Sequence, residues 1–203
     1  MAAWRVVLGA DTGCDMMPLG VEFCKALKAG GLGRTVIEIG SKPAAGQEEI
    51  ANLRPIFEAD RYVGVDMEAG LGVDVVSDGG MVYRLFERDE FELGISLDTL
   101  EHCWRPIHIV YALTKVALHV AIRAPFAAPI HNHPEDFWRF TPACFGKILK
   151  PQRPHGFIAV DPPVVNCTGE WPHGVYGFAT HDSALRTAVI QALPQAITVT
   201  GYW

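Results

Sequence analysis

The chain has 203 residues, of which 49% are hydrophobic and 20% charged. That length suits one domain, or one with a small appendage, and so large an apolar share excludes a disordered, solvating chain. With 17 lysines and arginines against 23 acidic residues, the net charge of −6 argues against a nucleic-acid backbone as the main partner.

In chain order, Asp15 followed by Pro18 to Lys28 predicts a helix with Leu19, Phe23 and Leu27 on one face, stopped by Gly30, Gly31 and Gly33. The β-branched run Thr35 to Gly40 predicts a buried strand. Gln47 to Ala59 reads as a helix, with Ile50, Leu53, Ile56 and Phe57 on one face and Glu48 and Glu49 in the first turn. Arg61 to Asp66, Gly72 to Ser77 and Phe91 to Ser96 predict the second, third and fourth strands. A helix from Pro106 to about Lys115 follows, then a fifth strand from Ala117 to Ala124. Thr141-Pro142 is a cap and first-turn proline for a helix ending before Pro151. Gly156 to Val160 and Val175 to Thr180 suggest an antiparallel pair at the sheet edge, and Ser183 to Leu193 a last helix.

Strands alternating with helices define an α/β chain with a doubly wound, mostly parallel sheet in three α/β/α layers and a C-terminal antiparallel strand pair. The expected division is a helical extension over 1–34 and a single domain over 35–203. Five cysteines (Cys14, Cys24, Cys103, Cys144, Cys167) are odd in number and form no C-x-x-C pair, which favours reduced thiols. The stretch from Met1 to Ala10 is too short, and too soon acidic, for a signal peptide. The longest apolar region, 107–130, is broken by Lys115, His119 and Arg123, so it does not read as a uniform membrane span. The expectation is a cytoplasmic protein with no membrane partner.

In open α/β sheets, ligands bind beyond the carboxyl ends of the strands, near the switch in strand order. After the first strand stands Glu38-Ile-Gly40-Ser41-Lys42, and 26 residues beyond Gly40 the second strand ends at Asp66. A strand-end glycine admits a ligand close to the backbone, and an acid at the tip of strand two suits the two hydroxyls of a ribose. Each signal alone is more often a turn or a cap. Together, in one βαβ unit, they favour a nucleoside-containing cofactor. The dinucleotide pattern is broken, because Lys42 stands for its second glycine and Ala45 for its third. What remains is a ligand with ribose and adenine but no pyrophosphate.

Here the chain resembles the class I S-adenosylmethionine-dependent methyltransferases, and most of all a bacterial "methyltransferase domain" subgroup with an HPED-[FY]-WRFT segment. The segments that carry the likeness are VIEIGSKPAAGQ (36–47), RYVGVDMEAGLGVDVVSD (61–78), ISLDTLEHCWRP (95–106) and APIHNHPEDFWRFTP (128–142). They fall in the family's order and cover roughly residues 35–150. The resemblance implies a Rossmann-like fold and S-adenosylmethionine as cofactor. It implies that Glu38, Gly40 and Ser41 shape the methionine end, that Asp66 takes the ribose and that Met67 packs on the adenine. It also implies that Asp78 meets the adenine amine and that Leu97 and Asp98 lie beneath the cofactor. The middle glycine of the common family loop is absent, and only Met67 to Leu71 separate the second and third strands, too few for a crossover helix.

After the fifth strand comes Ile130-His131-Asn132-His133-Pro134-Glu135-Asp136-Phe137-Trp138-Arg139-Phe140. Three readings compete. In the catalytic one, His133 or Asp136 accepts a proton from the acceptor, with His131, Arg139 and His102 on the substrate. In the metal one, His131, His133 and Glu135 or Asp136 hold a divalent ion; no metal ligand is assigned. In the structural one, the polar residues pin the Thr141-Pro142 helix while Phe137, Trp138 and Phe140 pack inward. Asp161-Pro-Pro163 reads as a turn, and Trp171, Tyr176 and Trp203 as core or edge aromatics. The expected activity is methyl transfer to an oxygen or nitrogen of a small molecule or peptide. A homodimer or a biosynthetic partner protein is the further expectation. The competing class is a methyltransferase-like binding protein without turnover.

Overall fold

The computed structural model describes residues 17–131, 135–164 and 169–203. Eight strands form one sheet: β1 (Thr35–Ile39), β2 (Arg61–Asp66), β3 (Val75–Val76), β4 (Phe91–Leu97), β5 (Ala117–Pro125), β6 (His155–Val160), β7 (Gly174–Thr180) and β8 (Thr198–Tyr202). Their order is β3-β2-β1-β4-β5-β7-β6-β8. The first five run parallel, while β7 is antiparallel to both β5 and β6, and β8 is antiparallel to β6. Strand order reverses between β1 and β4, so the carboxyl ends of these two strands frame the crevice.

Five α-helices accompany the sheet: α1 (Met17–Ala29), α2 (Arg54–Phe57), α3 (Pro106–Val116), α4 (Pro142–Leu149) and α5 (Ser183–Ala192). Successive side chains of a buried strand point to opposite faces, and the two cores follow from that alternation. Val36, Leu93 and Ile95 join Phe23 and Leu27 of α1 and Val189 of α5 on one face. Ile37 and Ile39 join Ile109 and Leu113 of α3 and Phe145 of α4 on the other. The result is a three-layer Rossmann-like α/β architecture. Among the described residues, no helix is long and apolar enough to cross a membrane.

Three expected elements differ. The helix read over Gln47 to Ala59 is realised only as α2, Arg54–Phe57. Pro55 would sit inside the longer helix, where its ring displaces a backbone hydrogen bond and meets the carbonyl four residues earlier; near a helix start it costs nothing. The third strand contracts to Val75–Val76, because Asp74 turns its carboxylate back to the Gly64 amide (2.7 Å) and to Arg54. The β6–β7 pair is not the edge, since β8 pairs along β6 through a bulge at Ile158/Ala159 and takes the rim itself.

Candidate functional site

Gly40 leaves β1 with φ +83°, and the Gly40 and Ser41 amides both donate to the Val65 carbonyl of β2 (2.9 and 3.2 Å). The turn hooks over the tip of the neighbouring strand. A Cβ on Gly40 would stand 2.0 Å from Thr99 Oγ1, so both conformation and space demand glycine there. Ser41 is buried, and its hydroxyl has no hydrogen-bond partner. Asp66 at the end of β2 accepts the Lys42 amide on one carboxylate oxygen and the Glu68 amide on the other, both at 3.1 Å. Met67 beside it is 72% exposed. Lys42, standing for a glycine, folds its stem against Gly70 and pairs with Glu68 at 2.5 Å.

Glu38 is buried beneath this turn and accepts the Tyr62 hydroxyl at 2.6 Å. Burial pushes its carboxyl up to about 7, against the opposing pull of Tyr62 and Arg54. Asp78 caps a 3-10 helix, Gly79–Arg84, by accepting the Gly80 amide at 2.8 Å, and Gly79 packs on Ile39 at the end of β1. Leu97 ends β4 and is half-buried against the α1 side of the sheet. Asp98 follows with φ +48° and is paired with Arg123. Gly40, Ser41, Asp66 and Met67 thus meet at one turn, with Glu38 below it. Thr99 ties the Leu97–Asp98 corner to Gly40, and the Gly79 contact ties Asp78 to β1.

The loops after β4 and β5 are stitched together. The Phe137 amide donates to the Glu101 carbonyl (2.8 Å) and Trp138 Nε1 to the Cys103 carbonyl (3.0 Å), while the Phe140 amide ties the second loop back to the Pro125 carbonyl at the end of β5 (2.9 Å). Arg139 uses all five of its N–H donors within the loop. They go to both Asp136 oxygens and to the carbonyls of Ala128, Pro129 and Trp138. Asp136 also accepts the His131 amide at 2.7 Å. Burial raises the Asp136 carboxyl, but Arg139 and the His131 amide outweigh it and hold it below the usual carboxylate range. Its ion-pair partner is therefore Arg139. Phe140 is buried, while Phe137 and Trp138 stay partly exposed beside Trp104. His102 and His131 stack edge-on at 5.0 Å between ring centroids. His133 lies outside the described residues.

Three residues of this edge were given no site role from the sequence: Arg123, read as a break in the apolar run, Asp161, read in a turn, and Tyr176, read as a core or edge aromatic and buried as such. Arg123, on β5 and fully buried, donates to Asp98, to Asp161 (2.8 Å) and to the Tyr176 hydroxyl (3.2 Å); Tyr176 in turn donates to Asp161. Arg123 sits within the apolar run 107–130, and a charged residue inside a buried strand was the one available signal. Its partners come from strands far apart in sequence.

The fold is a Rossmann-like α/β fold shared with solved S-adenosylmethionine-dependent methyltransferases. No family model matches the chain, and no curated protein does either. Solved structures do. An S-adenosylmethionine-dependent methyltransferase from Archaeoglobus fulgidus superposes with a TM-score of 0.57 at 15% identity, over 78% of this chain and 93% of that one. A methyltransferase of the same class from Aquifex aeolicus gives a TM-score of 0.51 at 17% identity, over 80% and 94%. The plantazolicin methyltransferase BamL, solved with a triazolic desmethylPZN analogue and S-adenosylhomocysteine, gives 0.57 at 11% identity, over 84% and 87%.

Proposed function

We propose that the protein is an S-adenosylmethionine-dependent methyltransferase acting on an oxygen or nitrogen of a small molecule, such as a sugar, a peptide or a secondary metabolite. The observation that carries this reading is the turn after β1: Gly40 and Ser41 hooked on Val65, with Asp66 at the adjacent strand tip, at the point where strand order reverses. The bound S-adenosylhomocysteine of the BamL structure supports the cofactor class. When bound, S-adenosylmethionine supplies an electrophilic methyl group on a sulfonium.

The residues at the crevice fit such a group. The unpartnered Ser41 hydroxyl and the Gly40 backbone would face its methionine end, with Glu38 beneath them. Asp66, already set by two backbone amides, would take the ribose hydroxyls, and the exposed Met67 would cover the adenine. Asp78 would meet the adenine amine, and Leu97 and Asp98 would floor the site. The acceptor would lie between the loops after β4 and β5, near His102 and His131. Methyl transfer needs alignment first and a base only for a protonated nucleophile. His133 is the candidate for that base, and Asp136, bound to Arg139, would set the loop that carries it.

Calorimetry with S-adenosylhomocysteine tests the reading. Saturable binding in the micromolar range is expected, weakened at least tenfold in Asp66→Ala. A folded sample that takes up no S-adenosylhomocysteine at high micromolar concentration overturns it.

A further inference from the structure

Glu101 is the middle residue of the short 3-10 turn Leu100–His102 after β4, and its side chain is 0% exposed. Neither carboxylate oxygen receives a hydrogen bond. A buried carboxylate without donors is costly, and proteins resolve that cost with a proton, a partner charge or a bound cation. Two imidazoles face it. Glu101 Oε1 stands 3.6 Å from His102 Nε2 and 3.9 Å from His131 Nε2, beyond hydrogen-bond range.

The other nitrogen of each ring fixes its tautomer. His102 Nδ1 lies 2.6 Å from the Glu135 carbonyl, and His131 Nδ1 lies 3.2 Å from the Pro129 carbonyl and 3.4 Å from Asp136 Oδ2. A carbonyl only accepts, so Nδ1 of the neutral ring carries the proton and Nε2 presents a lone pair toward Glu101. Histidines that ligate metals are oriented in this way, with the distal N–H held by a carbonyl or carboxylate.

We propose that Glu101, His102 and His131 form a divalent-cation site of the two-imidazole, one-carboxylate kind. The three ligand atoms all lie within 4.8 Å of one another. Ligands at about 2.1 Å from a tetrahedral ion stand about 3.4 Å apart, so the observed separations need only a small closure of side chains. Local charge points the same way. The carboxylates of Asp98, Glu101, Asp136 and Asp161 share this edge with the two guanidinium groups of Arg123 and Arg139. Imidazole ligands favour Zn²⁺ or Ni²⁺ over Mg²⁺, Ca²⁺ or Mn²⁺. Resting on the methyltransferase reading, His131, with 32% of its side chain exposed, marks the open side through which an oxygen of the acceptor could complete the coordination.

The test uses the whole chain, purified without a histidine tag and dialysed against chelator, titrated with Zn²⁺ alone and with Ni²⁺ alone. One equivalent should bind with micromolar affinity or better. Glu101→Gln, which keeps the volume of the buried side chain, should weaken binding at least tenfold while S-adenosylhomocysteine still binds; Asp66→Ala should do the reverse. Failure of wild-type protein to take up either ion, or uptake unchanged in Glu101→Gln, overturns the site. Because metal and S-adenosylhomocysteine are read separately, either reading can fail without the other.

Discussion

Glu38 and Asp136 are both carboxylates withdrawn from solvent, and their surroundings move them in opposite directions. Asp136 meets a guanidinium and a backbone amide, which favour the charged form. Glu38 meets one tyrosine hydroxyl beneath the Gly40 turn, which does not offset its desolvation. Its carboxyl rises from 4.5 to about 7, so the folded state holds a proton that the unfolded chain has released. The stability this confers is complete below about pH 4.5 and is lost as pH rises toward 7. At about 1.4 kcal/mol per pH unit, the loss amounts to about 3 kcal/mol. Glu38→Gln cannot titrate. Urea denaturation should therefore find the variant gaining about 2 to 3 kcal/mol on wild type between pH 4.5 and pH 8. A wild-type to variant difference that stays constant over that range would contradict a neutral Glu38 in the fold.

The loop after β5 owes its course to one side chain. Arg139 gathers three carbonyls and both oxygens of Asp136, a set that a lysine with three donors on one nitrogen cannot reproduce. Arg139→Lys should loosen the segment, with amide exchange at His131, Phe137 and Phe140 rising at least tenfold while the sheet core keeps its protection. The sequence marked 128–142 as a functional segment because its histidines, carboxylates and aromatics crowd together after a strand. It did not show which carboxylate takes the arginine, since Glu135 and Asp136 are adjacent and only the backbone path separates them. The same limit explains the helix expected at Gln47 to Ala59, whose apolar spacing is real but whose Pro55 leaves only Arg54–Phe57 helical. The rim strand β8 had its own signal in Thr198, Val199, Thr200 and Tyr202. That signal was short and polar, and strand-forming residues there count only because β6 offers an open edge.

At the scale of the molecule, Arg123 joins the parallel half of the sheet to its antiparallel extension. It rises from β5, reaches Asp98 past the end of β4, and crosses to Tyr176 on β7 and Asp161 past the end of β6. That the first five strands form a parallel sheet was legible because each is a local apolar run and most are separated by enough chain for a crossover. Arg123 was not legible, because a buried arginine has meaning only with its partners, and those lie 25 to 53 residues away. Removing one member of a buried ionic set leaves the rest desolvated and unpaired, at a cost of about 3 to 5 kcal/mol. Arg123→Met, which fills the space without the charge, should lower stability by that amount in urea denaturation. Adding Asp98→Asn and Asp161→Asn to it should return part of the loss, because neutral amides no longer need the cation. A loss below about 1 kcal/mol for Arg123→Met, the range of an exposed pair, would mean that water reaches this network and that it does not bind the two halves of the sheet together.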